Sequence, residues 1–101
     1  MKIKNKKEIV KDEFRKNKDN RHPAYIYAKV GNEYKYIGLT HSPITDNVKN
    51  IRLDKNPNPK DDRTAYIRPK SEQAKTNKFK KKDQGWKLLN SDKEKINRLK
   101  K

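Results

Sequence analysis

The chain has no cysteine, only three glycines and few acidic residues. Without cysteine there is no disulfide framework and no thiolate metal site. Three glycines cannot assemble a glycine-rich phosphate loop. Long apolar runs are also missing: nothing approaches the ~18 consecutive apolar residues of a membrane span. Residues 1–20 lack an apolar signal core, so a cytoplasmic setting with no membrane partner is expected. The acidic side chains number 13 against 29 Lys and Arg, which leaves a net charge of +16 at pH 7.

At 101 residues the chain is expected to form a single domain. Charged residues at 42% and hydrophobic residues at 29% would by themselves suggest disorder. Their distribution argues otherwise. Residues 1–21 carry +5 and 71–101 carry +7, whereas 24–53 and 54–70 carry only +2 each. The apolar residues concentrate in 24–53 and 64–67. This pattern predicts a small core between two basic ends, with stability near the lower limit for a domain. A polyanion would relieve the self-repulsion and stabilise such a fold.

The expected fold class is α+β: a small antiparallel sheet of four or five strands with an N-terminal and a C-terminal helix on one face. Ile9, Val10 and Phe14 have helical spacing, which predicts an amphipathic helix over about Lys6–Lys16, within a basic segment 1–20. The sheet is expected over 22–88. Its clearest part is a hairpin. Ala24, Ile26, Ala28 and Val30 alternate with Tyr25, Tyr27 and Lys29, and Gly31-Asn32 suits a two-residue turn before Tyr34–Thr40. That turn sets Lys29 against Tyr34, Tyr27 against Tyr36, Ile26 against Ile37, Ala24 against Leu39 and His22 against His41. Further strands are predicted at Asn50–Asp54, with Ile51 and Leu53 inward, and at Thr64–Arg68, with Ala65 and Ile67 inward. Asn56–Asp62 reads as a turn-rich loop. Trp86–Leu88 reads as an edge strand. Ser91-Asp-Lys-Glu94 reads as a capping box opening a helix over 91–101.

One sheet face should then be aliphatic and the other should display Tyr25, Tyr27, Tyr34, Tyr36 and Tyr66 among Lys29, Arg52 and Arg68. A basic domain with aromatic rings among its cations is the footprint of a nucleic-acid binder, in which rings stack bases and cations hold phosphates. The RNA-binding candidates are Tyr25, Tyr27, Lys29, Tyr36, Arg52, Tyr66 and Lys70. The alternative for each tyrosine is a place in a second small core.

Metal-free RNA cleavage needs a base for the ribose 2′-hydroxyl, cations for the phosphorane and an acid for the leaving oxygen. Histidine suits both proton transfers. His41 is the candidate base or acid and His22 its counterpart, with Thr40 and Ser42 as hydroxyl donors and Arg68 and Lys70 as phosphate cations. The alternative is that both histidines merely end strands. No carboxylate sits at ligand spacing from them, so no metal and no cofactor is expected. Asp61-Asp62 reads as part of a turn.

Arg21-His-Pro-Ala-Tyr25, Tyr36-Ile-Gly-Leu-Thr-His-Ser42, Asn56-Pro-Asn-Pro59, Ala65-Tyr-Ile-Arg68 and Gly85-Trp-Lys87 resemble segments of small basic proteins of Firmicutes and their mobile elements. In outline, over about residues 21–100, the pattern is similar to the barnase–EndoU–colicin–RelE group of small ribonucleases, several of them toxins. The resemblance implies a site at His41, Thr40, Ser42 and Arg68. It departs from the barnase pattern in its glutamate base, since Glu33 lies by the turn and Glu72 beyond the last clear strand. The leading expectation is a metal-independent endoribonuclease acting as a toxin or mobile-element effector. The alternatives are a non-catalytic nucleic-acid binder and a basic adaptor whose partner is an acidic protein, such as an antitoxin or immunity protein.

Overall fold

A computed structural model describes the backbone of residues 7–100 and the side chains of residues 13–100. Among the described residues the fold is α+β, a mostly antiparallel sheet with one α-helix. The strands are β1 (Lys7–Asn17), β2 (Pro23–Val30), β3 (Glu33–Thr40), β4 (Ile44–Thr45), β5 (Val48–Lys49), β6 (Ile51–Arg52), β7 (Tyr66–Ile67), β8 (Glu72–Lys75) and β9 (Phe79–Lys82). The helix α1 spans Asn90–Asn97. The main sheet has the order β6-β7-β3-β2-β1-β9, with β8 also pairing β3, and β4 and β5 form a separate ribbon.

The expected N-terminal helix is corrected by this topology. Lys6 and the residues before it, and the Ile9 and Val10 side chains, lie outside the described residues; from Lys7 the chain is a strand. A helix there would leave one edge of β2 without partners for its N–H and C=O groups, whereas β1 supplies them. The register of β1 against β2 shifts between Ile9 and Glu13, so the strand shows no clean alternation in sequence.

Gly31 takes φ 59 in the hairpin turn, a conformation that glycine adopts without steric cost. The expected register holds next to that turn, where Lys29 opposes Tyr34 and Val30 opposes Glu33. It then shifts at Tyr27. Ile26 meets Tyr36 rather than Ile37, Tyr25 meets Ile37, and Ala24 meets Gly38 rather than Leu39. A bulge of this kind changes which face the following side chains occupy. Tyr25, Tyr27 and Ala28 therefore join Phe14, Ile37, Leu39, Leu53, Ile67 and Ile96 in the main core. Ala24 and Ile26 pack on the opposite face with Phe79, against Tyr34 and Tyr36. Buried on both faces and paired on both edges, β2 is the centre of the fold.

The inward residues expected after the hairpin are found. Leu53, Ala65 and Ile67 are buried and Ile51 packs against them. Trp86–Leu88 is no strand; Leu88 is buried, and Lys87 donates its N–H to the Pro57 carbonyl. The strands β8 and β9 had no apolar alternation to announce them. They lie at sheet margins, where exposed lysines are tolerated and deter edge pairing.

The capping box does not form either. The helix opens at Leu89 without a side-chain cap. Ser91 Oγ instead donates to Asp54 Oδ2 at 2.6 Å. The buried Asp92 carboxylate accepts the backbone N–H groups of Asp54 (2.7 Å) and Lys55 (3.1 Å). Lys95 Nζ bridges the Arg52 carbonyl (2.9 Å) and the carboxylates of Asp54 and Asp92 (3.1 Å each). These bonds pin α1 to the chain leaving β6, with Ile96 and Leu99 on the core.

Candidate functional site

The open end of the β2–β3 hairpin carries the histidines. His22 precedes β2 and His41 follows β3. The ladder ends at Ala24 and Gly38, so the two are not a strand pair as expected. They nevertheless line one cavity of about 200 Å3 together with Lys16, Arg21, Asp61 and Arg63. His22 is held by the loop between β1 and β2. Its N–H donates to Asn20 Oδ1 at 2.8 Å, and its carbonyl accepts the Asn17 N–H at 3.0 Å. Arg21 takes φ 62 in the same loop, a left-handed conformation unusual for a residue other than glycine.

Asp61 organises the other wall. Its Oδ2 lies 3.0 Å from His41 Nε2. Arg63 grips the same carboxylate as a fork, through Nε at 2.9 Å and Nη2 at 3.0 Å, and adds its backbone N–H at 3.1 Å. The Arg63 side-chain and backbone hydrogen bonds, and less strongly the His41 contact, hold the Asp61 carboxyl well below the ordinary carboxylate range. Asp61 is thus an acceptor only, so His41 Nε2 is the donor and Nδ1 is left to exchange a proton. Asp61 closes a local turn, its N–H donating to the Asn58 carbonyl and its Oδ1 accepting the Arg63 N–H. The same carboxylate's other oxygen reaches across 20 residues of sequence to His41, which no local pattern announces. On the far side, Lys16 Nζ pairs with Asp83 at 2.8 Å and lies 5.2 Å over the Trp86 ring, which also lines the cavity. Three cations, Lys16, Arg21 and Arg63, face one carboxylate in the lining.

A second cavity, of about 240 Å3, adjoins the first, because His22, Pro23, Leu39 and Thr40 line both. Its other walls include Tyr36, Arg68 and Glu72. Arg68 Nη1 donates to Asn50 Oδ1 at 2.9 Å, and its N–H donates to the Gly38 carbonyl at 2.9 Å. A Cβ at Gly38 would stand 3.3 Å from Arg68 Cγ, so the bare glycine lets the arginine stem cross the strand closely. Burial and the Glu72 charge push the Tyr36 phenol up from its ordinary value.

The sequence candidates therefore separate. His22, His41 and Thr40 share a cavity; Arg68 lies in the adjoining one with Tyr36, not beside His41. Ser42 lines neither; its N–H donates to Thr40 Oγ1 at 3.2 Å. Tyr25 and Tyr27 are corrected as base-stacking residues. Each is only 2% exposed, Tyr25 packs edge-on against Phe14, and Tyr27 hydrogen-bonds Ser71. The shifted register put them in the core. Lys29 lies at the turn end of the hairpin, opposite Tyr34 and away from the histidines. Tyr66 is half-buried on β7, opposite Thr40 and Arg52; Arg52 and Lys70 are exposed and line neither cavity.

The described residues contain no group of three or more His, Asp or Glu side chains able to hold a metal, and no helix among them is long and apolar enough to cross a membrane. Compared with family models, curated proteins and solved structures, the chain matches none.

Proposed function

We propose that this chain is a small metal-independent endoribonuclease. The observation that carries the reading is the shared cavity, in which both histidines of the chain meet three cations and an ionised aspartate on His41. In the proposed reaction His41 Nδ1 takes the proton of a ribose 2′-hydroxyl. The 2′ oxygen forms a bond to the adjacent phosphorus, and the bond from phosphorus to the 5′ oxygen breaks. His22 protonates that leaving oxygen. The products are a 2′,3′-cyclic phosphate and a 5′-hydroxyl end. Asp61 stabilises the imidazolium on His41 and orients the ring, a positioning role. Lys16, Arg21 and Arg63 offset the charge gathering on the phosphorane oxygens. The net charge of +16 draws the polyanion to the surface. We attach to this activity the setting of a toxin or mobile-element effector, for which an acidic antitoxin or immunity protein is the complementary partner.

The test is incubation of RNA with the purified protein in EDTA and identification of the new ends. Cyclic phosphate ends are expected. His22→Ala and His41→Ala should each slow cleavage by roughly 10²–10⁴-fold, the usual contribution of a positioned acid or base. RNA affinity should stay nearly constant in both. If RNA is bound and not cleaved, the chain is a nucleic-acid binder and the histidines only end their strands; if both variants cleave like the wild type, the histidine mechanism is wrong.

A further inference from the structure

The β4–β5 ribbon takes no part in the proposed chemistry, yet it stands at its edge. Only Ser42 and Pro43 separate His41 from Ile44, where the ribbon begins. Thr45 lines the second cavity together with His22 and Thr40. Among the described residues the ribbon pairs with no strand of the main sheet. Ile44 is 55% exposed and Val48 42%. Ile44 opposes Lys49, and Thr45 opposes Val48. Cross-strand partners share a face and successive residues alternate between faces. Ile44 and Val48 therefore stand on opposite faces, and each face presents one bare aliphatic side chain.

We infer that this ribbon is a strand-separating wedge for base-paired RNA, in which Ile44 and Val48 part the end of a stem and bring the nucleotide at the junction to the histidines. The inference rests on the nucleic-acid reading above and adds its substrate class, a stem with an unpaired flank. An apolar patch that docks a protein gathers its side chains on one face, whereas here they are divided between two. A second copy of the chain would bring another +16 against this one. A wedge, by contrast, needs a thin, stiff element that is apolar on both sides. Proteins that open nucleic acid insert aliphatic side chains between base steps and unstack them. The ribbon is thin because Asp46 and Asn47 take φ 51 and 63, which closes it in a two-residue turn. It is stiff because Asn50 locks its base. The Asn50 N–H donates to the Pro43 carbonyl at 2.8 Å, and its Nδ2 donates to the Ser42 carbonyl at 2.9 Å and to Thr45 Oγ1 at 2.8 Å. Arg68 Nη1 donates to Asn50 Oδ1 at 2.9 Å from the other side. Lys49 lies on the face of Ile44 and can hold a phosphate. Asp46 at the tip repels phosphate, which keeps the tip between the two backbones. Opening also serves the proposed cleavage. In-line attack needs the 2′ oxygen, phosphorus and 5′ oxygen in one line, an alignment that a stacked A-form strand denies and an unstacked nucleotide can reach.

The probe is a stem–loop RNA, 2′-O-methylated throughout so that it cannot be cleaved, with aminopurine in the base pair that ends the stem. This adenine analogue fluoresces more strongly once unstacked. At saturating protein the fluorescence should rise with the wild type. Ile44→Ser combined with Val48→Ser removes both apolar faces at exposed positions and leaves the charge unchanged. This serine pair should keep the wild-type circular dichroism and still bind the RNA, while the opening equilibrium falls by roughly 10-fold for each side chain lost, the worth of burying one such side chain. Ile44→Leu combined with Val48→Leu keeps both faces apolar and should keep the signal. No rise with the wild type, or a rise that the serine pair retains, would overturn the wedge. A wild-type dimer that the serine pair turns into a monomer in sedimentation, with the fluorescence unchanged, would make the ribbon a contact between copies instead. Cleavable RNA separates the two ideas. His41-dependent cleavage of unpaired RNA with no opening of the stem would sink the wedge and keep the ribonuclease; stem opening that the serine pair loses, without cleavage of any RNA, would keep the wedge and sink the ribonuclease.

Discussion

Replacing Asp92 should unseat the helix. Its carboxylate is fully buried and accepts two backbone N–H groups and the Lys95 ammonium. Hydrogen bonds to a charged group contribute about 1.5–3 kcal/mol each, and removing one partner of a buried pair costs roughly 3–5 kcal/mol. The lower part of that range applies here. Lys95 keeps Asp54 as a second partner, and Asp54 and Lys55 are exposed, so water reaches part of what Asp92 leaves behind. About 3 kcal/mol is therefore expected for Asp92→Ala. Asp92→Asn keeps the shape and one acceptor, but its amide group then faces a backbone donor, and about 2 kcal/mol is expected. For a chain of this size a 3 kcal/mol loss lowers Tm by about 12–24 °C. Urea titration followed by circular dichroism, with a thermal scan beside it, measures both. If both variants lie within about 1 kcal/mol of the wild type, Ile96, Leu99 and the bonds of Ser91 and Lys95 to Arg52 and Asp54 hold α1 without it, and the anchoring role of the carboxylate is wrong.

Tyr25→Ala should cost about 3–5 kcal/mol, as for other large aromatic truncations in a core, and urea unfolding measures it; a folded variant of wild-type stability would return the ring to the surface. Asp61 should titrate in NMR well below the ordinary carboxylate value of about 3.9, because Arg63 holds it ionised. A lowered folded-state pKa stabilises fully above the unfolded value, and that contribution is lost as pH falls through the folded one; an ordinary midpoint would show that the Arg63 fork does not form in solution. RNA affinity should fall with salt, with a slope of log K on log salt near −3.5 for about five neutralised phosphates on a single strand, and a flat response in a filter-binding series would remove the electrostatic basis of the proposal.

The legible part of the candidate site was its chemistry. Two histidines flanking a strong hairpin signal in a basic chain direct attention to one end of two strands, and those residues do share a cavity. The partners were illegible because they come from other segments. Lys16 arrives on a strand that reads as a helix, since apolar residues at 9, 10 and 14 fit a helical face once an irregularity has removed the alternation. Glu72 lies on β8, which has no apolar face to mark it as a strand.

Local pattern by itself determined the turn at Gly31-Asn32, the register beside it, the inward set Ile37, Leu39, Leu53, Ala65 and Ile67, and the surplus of positive charge. Each depends on neighbours within a strand or on composition, so no knowledge of the rest of the fold was required. Tertiary structure alone decided the rest. Alternation states which residues share a face, but one bulge at Tyr27 reverses that parity, and only the packing of Phe14, Leu53 and Ile96 on one face and of Phe79 on the other shows that both faces are buried. The tyrosines moved into the core for that reason. Asp61 met His41 for the same kind of reason: a contact between segments 20 residues apart is set by how the sheet packs, and sequence spacing carries no record of it.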